Sequence, residues 1–366
     1  MLSRVASLSL NYSLQSALRL TAIRAMSTVI PKVQYGFKLD NKLKKLVLHE
    51  DLPVPTPGPT DVLVKLTHVS LCHSDLHVLY DNLEIGDDFV MGHEISGEVA
   101  AIGDKVTHLD VGQKVVASGP DGCGSCAHCR TGADNDCIDS LVHGWFGLGK
   151  DGGYQQYLLV NRPQNLIKVP EGVPMEVASP ITDAVLTPYH ALKALNLNPA
   201  SNILFVGCGG LGSSGLQIAK AFGATVTVVE KKDKARELAK ALGADFVYET
   251  LPELIPVQSF DHCVDFVSVQ KTFDICQKYV RSKGTVVPVG LGAAELKFNL
   301  SDLALREVRI LGTFWGTSQD LVECLELVRK GLVKPQIYTI QPLKKLPEFV
   351  EKLRNNEYEG RAVFTP

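Results

Sequence analysis

The sequence predicts an α/β protein of two domains, mainly β in its first half and a doubly wound parallel sheet in its second. Three observations carry this. Segments such as Val62 to Val69 (VLVKLTHV) and Glu98 to Val116 alternate apolar and polar residues as half-buried strands do, with Gly103, Asp104, Asp110 and Gly112 as turn signals. From Met175 onward, apolar runs of strand length alternate with amphipathic helical stretches. A chain of 366 residues also exceeds the length at which one hydrophobic core stops growing.

The first 39 residues contain no Asp or Glu but carry Arg4, Arg19, Arg24, Lys32 and Lys38 and serines at 3, 7, 9, 13, 16 and 27. That is the composition of a mitochondrial presequence, here residues 1–25, with removal expected near Ala25. Its destination would be the matrix, whereas a start at Met26 would leave the chain cytoplasmic. The whole chain balances 37 basic against 40 acidic side chains, which leaves no electrostatic footprint for nucleic acid. No apolar run approaches the roughly 20 residues that span a bilayer. A small-molecule substrate is therefore expected, with neither nucleic acid nor membrane as partner.

From Tyr35 to Pro59, short apolar runs alternate with Pro-rich breaks, as at the opening of a compact, barrel-like β domain. No helix-period stretch of any length is read before Met175. Within this half, Leu71 to Glu94 reads LCHSDLHVLYDNLEIGDDFVMGHE. Cys72 offers a thiolate, His93 and Glu94 an imidazole and a carboxylate, and His73, Ser74 and His77 exchangeable protons. Zinc accepts such mixed donors, and a catalytic zinc takes three protein ligands and keeps one position open. A further anionic donor must then come from a distant part of the chain.

Cys123, Cys126, Cys129 and Cys137 follow with the spacing C-x2-C-x2-C-x7-C. Four clustered thiols among nine cysteines suit a reducing compartment and a closed, structural zinc site. An Fe–S cluster or labile disulfides are the alternatives; bacterial ferredoxins place three residues, not seven, before a fourth Cys followed by Pro, and Ile138 stands here.

The stretch NILFVGCGGLG places Gly207, Gly209 and Gly212 after an apolar run and before a helical pattern, and the next apolar run ends at Glu230, 18 residues beyond Gly212. This is the Rossmann βαβ fingerprint. The first glycine turns the chain, the second admits a pyrophosphate beside the backbone of Gly210 and Leu211, and the third lets helix and strand pack closely. A carboxylate at Glu230 bonds a ribose 2′-hydroxyl and repels a 2′-phosphate, which favours NAD(H) over NADP(H), although Lys231 and Lys232 follow directly.

In combination and in this order, the GHE motif, the four-cysteine lobe and the glycine fingerprint resemble the zinc-dependent medium-chain alcohol dehydrogenases over residues 35 to 366. GYQQYLLV, TDAVLTPYHA and RNNEYEGRAVF are especially similar to yeast NADH-dependent carbonyl reductases, which interconvert ketones and secondary alcohols. The resemblance implies a GroES-like catalytic domain over 35–182 with its zinc lobe at about 120–140, a Rossmann domain over 183–318, and a return to the catalytic domain over 319–366. It implies two zinc ions. Cys72, His93 and Asp183 would hold the catalytic one, with Asp183 standing where yeast-type enzymes usually have cysteine. Oxygen donates less charge than sulfur, which would leave a stronger Lewis acid. Glu94 is the exchanging carboxylate, expected to ligate when no substrate is bound.

By the same resemblance, Ser74 takes the alcohol proton and passes it through the cofactor ribose, and His77 delivers it to solvent as a general base. His73 and Arg361 lie at the pyrophosphate and Thr187 near the nicotinamide. Asp75 is a candidate to orient a zinc ligand. Trp145, Phe146 and Leu148 either wall a substrate pocket or belong to the core. Homo-oligomers, dimer or tetramer, are usual for the family. A zinc polyol dehydrogenase shares this logic, and an NAD-binding sensing module is the non-catalytic alternative.

Overall fold

The computed structural model describes residues 29–81, 85, 86 and 88–366. The Arg- and Ser-rich start, 1–25, lies outside the described residues. No described helix is long and apolar enough to cross a membrane.

A hairpin of Val33–Asp40 and Lys45–Pro53 opens the described chain. A seven-stranded sheet follows. Its order is Ile337–Pro342, Arg361–Thr365, Val62–Leu71, Glu94–Ile102, Lys114–Ala117 and Ile167–Lys168, with Tyr157–Val160 also pairing to Val62–Leu71. Two strands from the C-terminal end thus lie in the sheet that carries the Cys72 and His93 segments. In the register of this sheet Ala362 faces Leu71, and Ser70 faces Glu94. Arg361, Cys72 and Glu94 are thereby gathered at one end of three adjacent strands.

The second sheet has six parallel strands, ordered Phe246–Tyr248, Thr225–Val229, Asn202–Val206, Phe260–Asp265, Val280–Pro288 and Arg309–Ile310. Ile203, Leu204, Phe205 and Val206 are all buried, as a central parallel strand covered on both faces requires. The order reverses between Asn202–Val206 and Phe260–Asp265, and that switch opens a crevice beyond the strand ends. Gly207 turns there with φ +93°, and a Cβ on Gly212 would collide with the Gly207 carbonyl, so helix Gly210–Ala221 packs close only because both are glycine.

Two expectations need correction. The first half contains helices, at His73–Tyr80, Ala127–Arg130 and Ile138–His143. Each has about two turns or fewer, too few for a 3.6-residue period to stand out, and the first is set by Asp75 accepting from the Cys72 N–H at 3.0 Å. The apolar run VRILGTFWG, one of the strand-length runs expected after Met175 to form the parallel sheet, is a strand only over Arg309–Ile310. Leu311 still donates to the Val286 carbonyl at 2.9 Å, and beyond it the chain leaves the sheet for the cysteine lobe, where the Phe314 carbonyl accepts from Asn135 Nδ2 at 2.8 Å and, just past the run, the Ser318 N–H donates to Asp134 Oδ2 at 3.1 Å.

The glycine-rich loop 144–153 wraps the chain just ahead of His93. Gly152 N–H donates to the Val90 carbonyl at 2.7 Å and Gly153 N–H to the Gly92 carbonyl at 2.6 Å. A Cβ on Gly152 would strike the backbone of Gly92 and Gly147. We expect Gly152→Ala to destabilise the protein by about 1–3 kcal/mol through overpacking, read as a lower denaturation midpoint in urea. An unchanged midpoint would show that the loop yields freely.

Candidate metal and cofactor site

Helix His73–Tyr80 begins immediately after strand Val62–Leu71 and hangs Cys72, Ser74 and His77 at the strand end. His93 and Glu94 arrive at the start of the neighbouring strand. The fourth element is unusual. Helices Met175–Pro180 and Leu186–Lys193 are joined by a π-helical turn, Ile181–Val185, in which Asp183 sits. Such widened turns are found frequently at functional sites.

Together they bring one donor atom from each of Cys72, His93, Glu94 and Asp183 within 4.8 Å of one another, all buried. Asp183 Oδ2 lies 3.2 Å from Cys72 Sγ and 3.9 Å from His93 Nε2. Its other oxygen accepts from Thr187 Oγ1 at 2.7 Å, so the carboxylate is turned with one oxygen into the cluster. His93 directs Nδ1 away from the cluster toward Asp75 Oδ1 at 3.3 Å, close enough for attraction but off the hydrogen-bond direction. Asp75 is wholly buried and also accepts from Tyr154 Oη at 2.7 Å. A carboxylate behind a histidine in this way fixes the ring and raises its basicity toward a metal. Trp315 packs edge-on against the same ring, centroids 5.4 Å apart, and donates its indole N–H to the Thr182 carbonyl at 3.1 Å.

Arg361 lies inside this cluster. Its Nε donates to Glu94 Oε1 at 2.8 Å, and Nη2 reaches Asp183 Oδ2 at 3.1 Å and Cys72 Sγ at 3.2 Å. Its Nη1 sits against Gly210 at the start of the helix after the glycine motif. One guanidinium therefore spans the metal-type donors and the pyrophosphate-type turn.

The charge balance tests whether a metal fits. With His93 neutral, as a metal ligand must be, three acidic groups face a single guanidinium in a buried site. Burial pushes the Cys72 thiol up, and burial raises the Glu94 carboxyl to about 8 against the pull of Arg361. Burial also opposes ionisation of Asp183, but His93 and Arg361 outweigh it and hold that carboxyl low. A divalent cation supplies the two positive charges that would let all three acids ionise. Glu94 Oε2 has no hydrogen-bond partner among the described residues, which leaves it free to ligate. Thiolate, imidazole and carboxylate in this number match zinc.

Cys123, Cys126, Cys129 and Cys137 converge in the lobe that follows strand Lys114–Ala117, again within 4.8 Å of one another. Sγ separations of 3.9 Å for Cys123–Cys129 and 4.0 Å for Cys126–Cys137 are close to the ~3.8 Å edge of a tetrahedron with ~2.3 Å zinc–sulfur bonds. All are free thiols. Hydrogen bonds from Ser125 and the Cys126 N–H lower Cys123 to about 5, which favours the thiolate a metal binds.

The crevice at the sheet's switch point holds a cavity of about 510 Å³ walled by Gly207, Glu230, Thr250, Leu251, Val267 and Ile275, among others. Glu230 is clamped at its rim, with Oε2 accepting from the Cys208 N–H at 2.8 Å and Oε1 from the Lys232 N–H at 2.9 Å. An apolar slot beside a fixed carboxylate is what an adenosine needs. The part of the wall contributed by Leu251, Val267, Val269 and Ile275 carries no motif and was invisible in the sequence.

Ser74 Oγ lies 3.7 Å from Cys72 Sγ, and half-buried His77 bonds Asp81 through Nδ1 at 2.5 Å. His73 presents an open surface, yet desolvation by the surrounding protein, with Arg361, His77 and Lys232 nearby, lowers its pKa to about 4. Phe146 and Leu148 belong to the core, and Trp145 alone of that trio is half-exposed, packed on Phe314 at 5.3 Å. Sequence reasoning missed Tyr154 and Trp315, and it assigned Thr187 to the nicotinamide without its bond to Asp183.

Two family models match the chain, the alcohol dehydrogenase GroES-like domain over residues 58–171 and the zinc-binding dehydrogenase over 210–330. An NAD-dependent alcohol dehydrogenase of Sulfurisphaera tokodaii is 32% identical over 87% of this chain and 96% of its own. Alcohol dehydrogenase 1 of Emericella nidulans is 33% identical over 91% and 98%. The solved structure of an acetophenone reductase from Geotrichum candidum, in complex with NAD, shares 45% identity over 92% of this chain and 98% of that one, with a TM-score of 0.87. The chain belongs to the zinc-dependent medium-chain alcohol dehydrogenases. It is accordingly an oxidoreductase of alcohols and carbonyl compounds that uses zinc and a nicotinamide dinucleotide.

In this dehydrogenase Asp75 is the natural point to test the support behind the donors. We expect Asp75→Asn to weaken zinc retention about 10- to 100-fold, measured by competition with a chelator. Unaltered retention would mean that His93 is oriented by packing against Trp315 alone.

Proposed function

We propose that this chain is an NADH-preferring carbonyl reductase that interconverts ketones and secondary alcohols. The observation that carries this is Arg361, which joins the buried Cys72, His93, Glu94 and Asp183 cluster to the glycine turn leading to the Glu230 cavity. The likeness to an acetophenone reductase over nearly the whole chain supports the ketone reading.

Cys72, His93 and Asp183 would hold the catalytic zinc, with Glu94 as the exchanging fourth donor, and the four cysteines of the lobe would hold a second, structural zinc. When bound, zinc supplies Lewis-acid polarisation of the substrate oxygen and NAD(H) the hydride. The chain's own groups do the rest. Thr187 keeps Asp183 turned inward. Ser74, beside Cys72 and on the first turn of the helix, receives the proton at Oγ. His77 lies one turn further on, half-exposed, and Asp81 binds its Nδ1, which leaves Nε2 to exchange the proton with solvent. His73, kept neutral by its surroundings, can sit beside a pyrophosphate without competing with Arg361.

A homo-oligomer through the edge of the parallel sheet is part of the same proposal. Beside edge strand Arg309–Ile310, Leu300 is 68% and Leu305 86% exposed, an apolar surface that a second copy would cover. Sedimentation at micromolar concentration should show a dimer or tetramer, and a monomer would remove this part.

Purified residues 26–366 should oxidise NADH with aryl ketones and contain two zinc ions. Asp183→Ala should lose one of the two and nearly all turnover, and Glu230→Ala should lose preference for NADH over NADPH. Activity on fructose but not on ketones would transfer the assignment to a polyol dehydrogenase. Two zincs without any turnover would reopen the substrate class.

A further inference from the structure

Lys232 occupies an unusual position at the rim of the cofactor cavity. Its backbone N–H fixes the Glu230 carboxylate, and the residue is one of those that wall the cavity. The ammonium, however, is drawn out of the cavity. Nζ donates to Asn356 Oδ1 and Glu359 Oε1, each at 2.9 Å. Both partners come from the segment between helix Leu346–Arg354 and strand Arg361–Thr365, which belongs to the other sheet. Two residues after Glu359 the same segment delivers Arg361 to Gly210.

Glu230 alone does not make this rim hostile to a phosphate. Lys231, Lys232, Lys271 and Lys278 line the cavity against Glu230, Glu249 and Asp274. Arg236, which stands close by, is committed elsewhere: Nη1 donates to the carbonyls of Glu230 at 2.8 Å and Lys231 at 2.5 Å, and Nη2 binds Asp233. Lys232 is next in sequence but one to the ribose-binding acid, and a lysine or arginine in that neighbourhood is what accommodates a ribose 2′-phosphate. The lysine side is 44% exposed against 22% for Glu359, so the ammonium is within reach of a competing dianion once the tail partners are removed.

We propose that Glu359 and Asn356 are specificity determinants for the dinucleotide: Glu359 neutralises Lys232 and Asn356 helps hold its ammonium on the tail, denying a 2′-phosphate the cation two residues beyond Glu230. Discrimination against NADP(H) then has two parts. Glu230 repels the phosphate, and the tail withholds the counter-charge. The inference rests on the reading of this cavity as the adenosine site.

The test measures dissociation constants for NADH and NADPH by cofactor fluorescence on the zinc-loaded protein, with the ratio of kcat/KM alongside. Asn356 has φ +55°, so Asn356→Gly removes the amide without straining the left-handed backbone. Glu359→Gln combined with Asn356→Gly should move the NADPH-to-NADH preference about tenfold toward NADPH, as expected for one uncompensated charge near a phosphate at partial exposure. The change should appear in KM for NADPH and shrink as ionic strength rises. Adding Lys232→Met should abolish the gain. An unchanged ratio in the double variant, or a gain that survives Lys232→Met, overturns the proposal. Wild type that binds neither cofactor overturns the cavity reading beneath it, a result distinct from either.

Discussion

The structure depends on keeping a cluster of charges out of water. Cys72, Glu94 and Asp183 are buried together around the Arg361 guanidinium. Removing such groups from water costs several kcal/mol each even after relaxation, and only close, well-aligned partners offset it. The strand register supplies that closeness, with Leu71 opposite Ala362 and Ser70 opposite Glu94, so that thiol, carboxylate and guanidinium emerge at the same end of three neighbouring strands. Arg361 cancels one charge. The remaining two acidic groups make the site a receptor for a divalent ion, and burial without one raises the Glu94 carboxyl to about 8, toward its neutral form.

Around this cluster the fold removes freedom from each donor. Thr187 sets Asp183, Asp75 and Trp315 bracket His93, and Tyr154 holds Asp75. The four-cysteine lobe reaches the same neighbourhood through Asn135 and Asp134, which hold the chain on either side of Trp315. A closed metal site on that lobe would therefore stiffen the segment packed against a donor of the other site.

The tail from Asn356 to Arg361 gives the two sheets a common boundary. It leads into strand Arg361–Thr365 of the mixed seven-stranded sheet, yet its side chains meet Lys232 at the rim of the cavity and Gly210 at the glycine turn. Asn356, Glu359 and Arg361 thus tie the cavity rim and the glycine turn to the seven-stranded sheet.

Much of this was legible because its signals are local. The glycine spacing, the acid ending the second strand of the βαβ unit and the four closely spaced cysteines each impose their requirement within a short stretch of chain, and the alternation of apolar runs follows from covering a parallel sheet on both faces. The short helices before Met175 were not legible, since two turns show no period. The role of Asp183 came by resemblance alone, because an aspartate among PITDAVLTPYHA has no spacing relation to Cys72, far earlier in the chain. Only the tertiary structure decided that a π-helical turn aims this carboxylate at Cys72, that Arg361 lies among the donors as well as at the glycine turn, and that Lys232 is held by the tail. Composition and spacing carry the chemistry a segment can offer, whereas contacts between segments far apart in sequence are set by strand register and packing, which no single stretch contains.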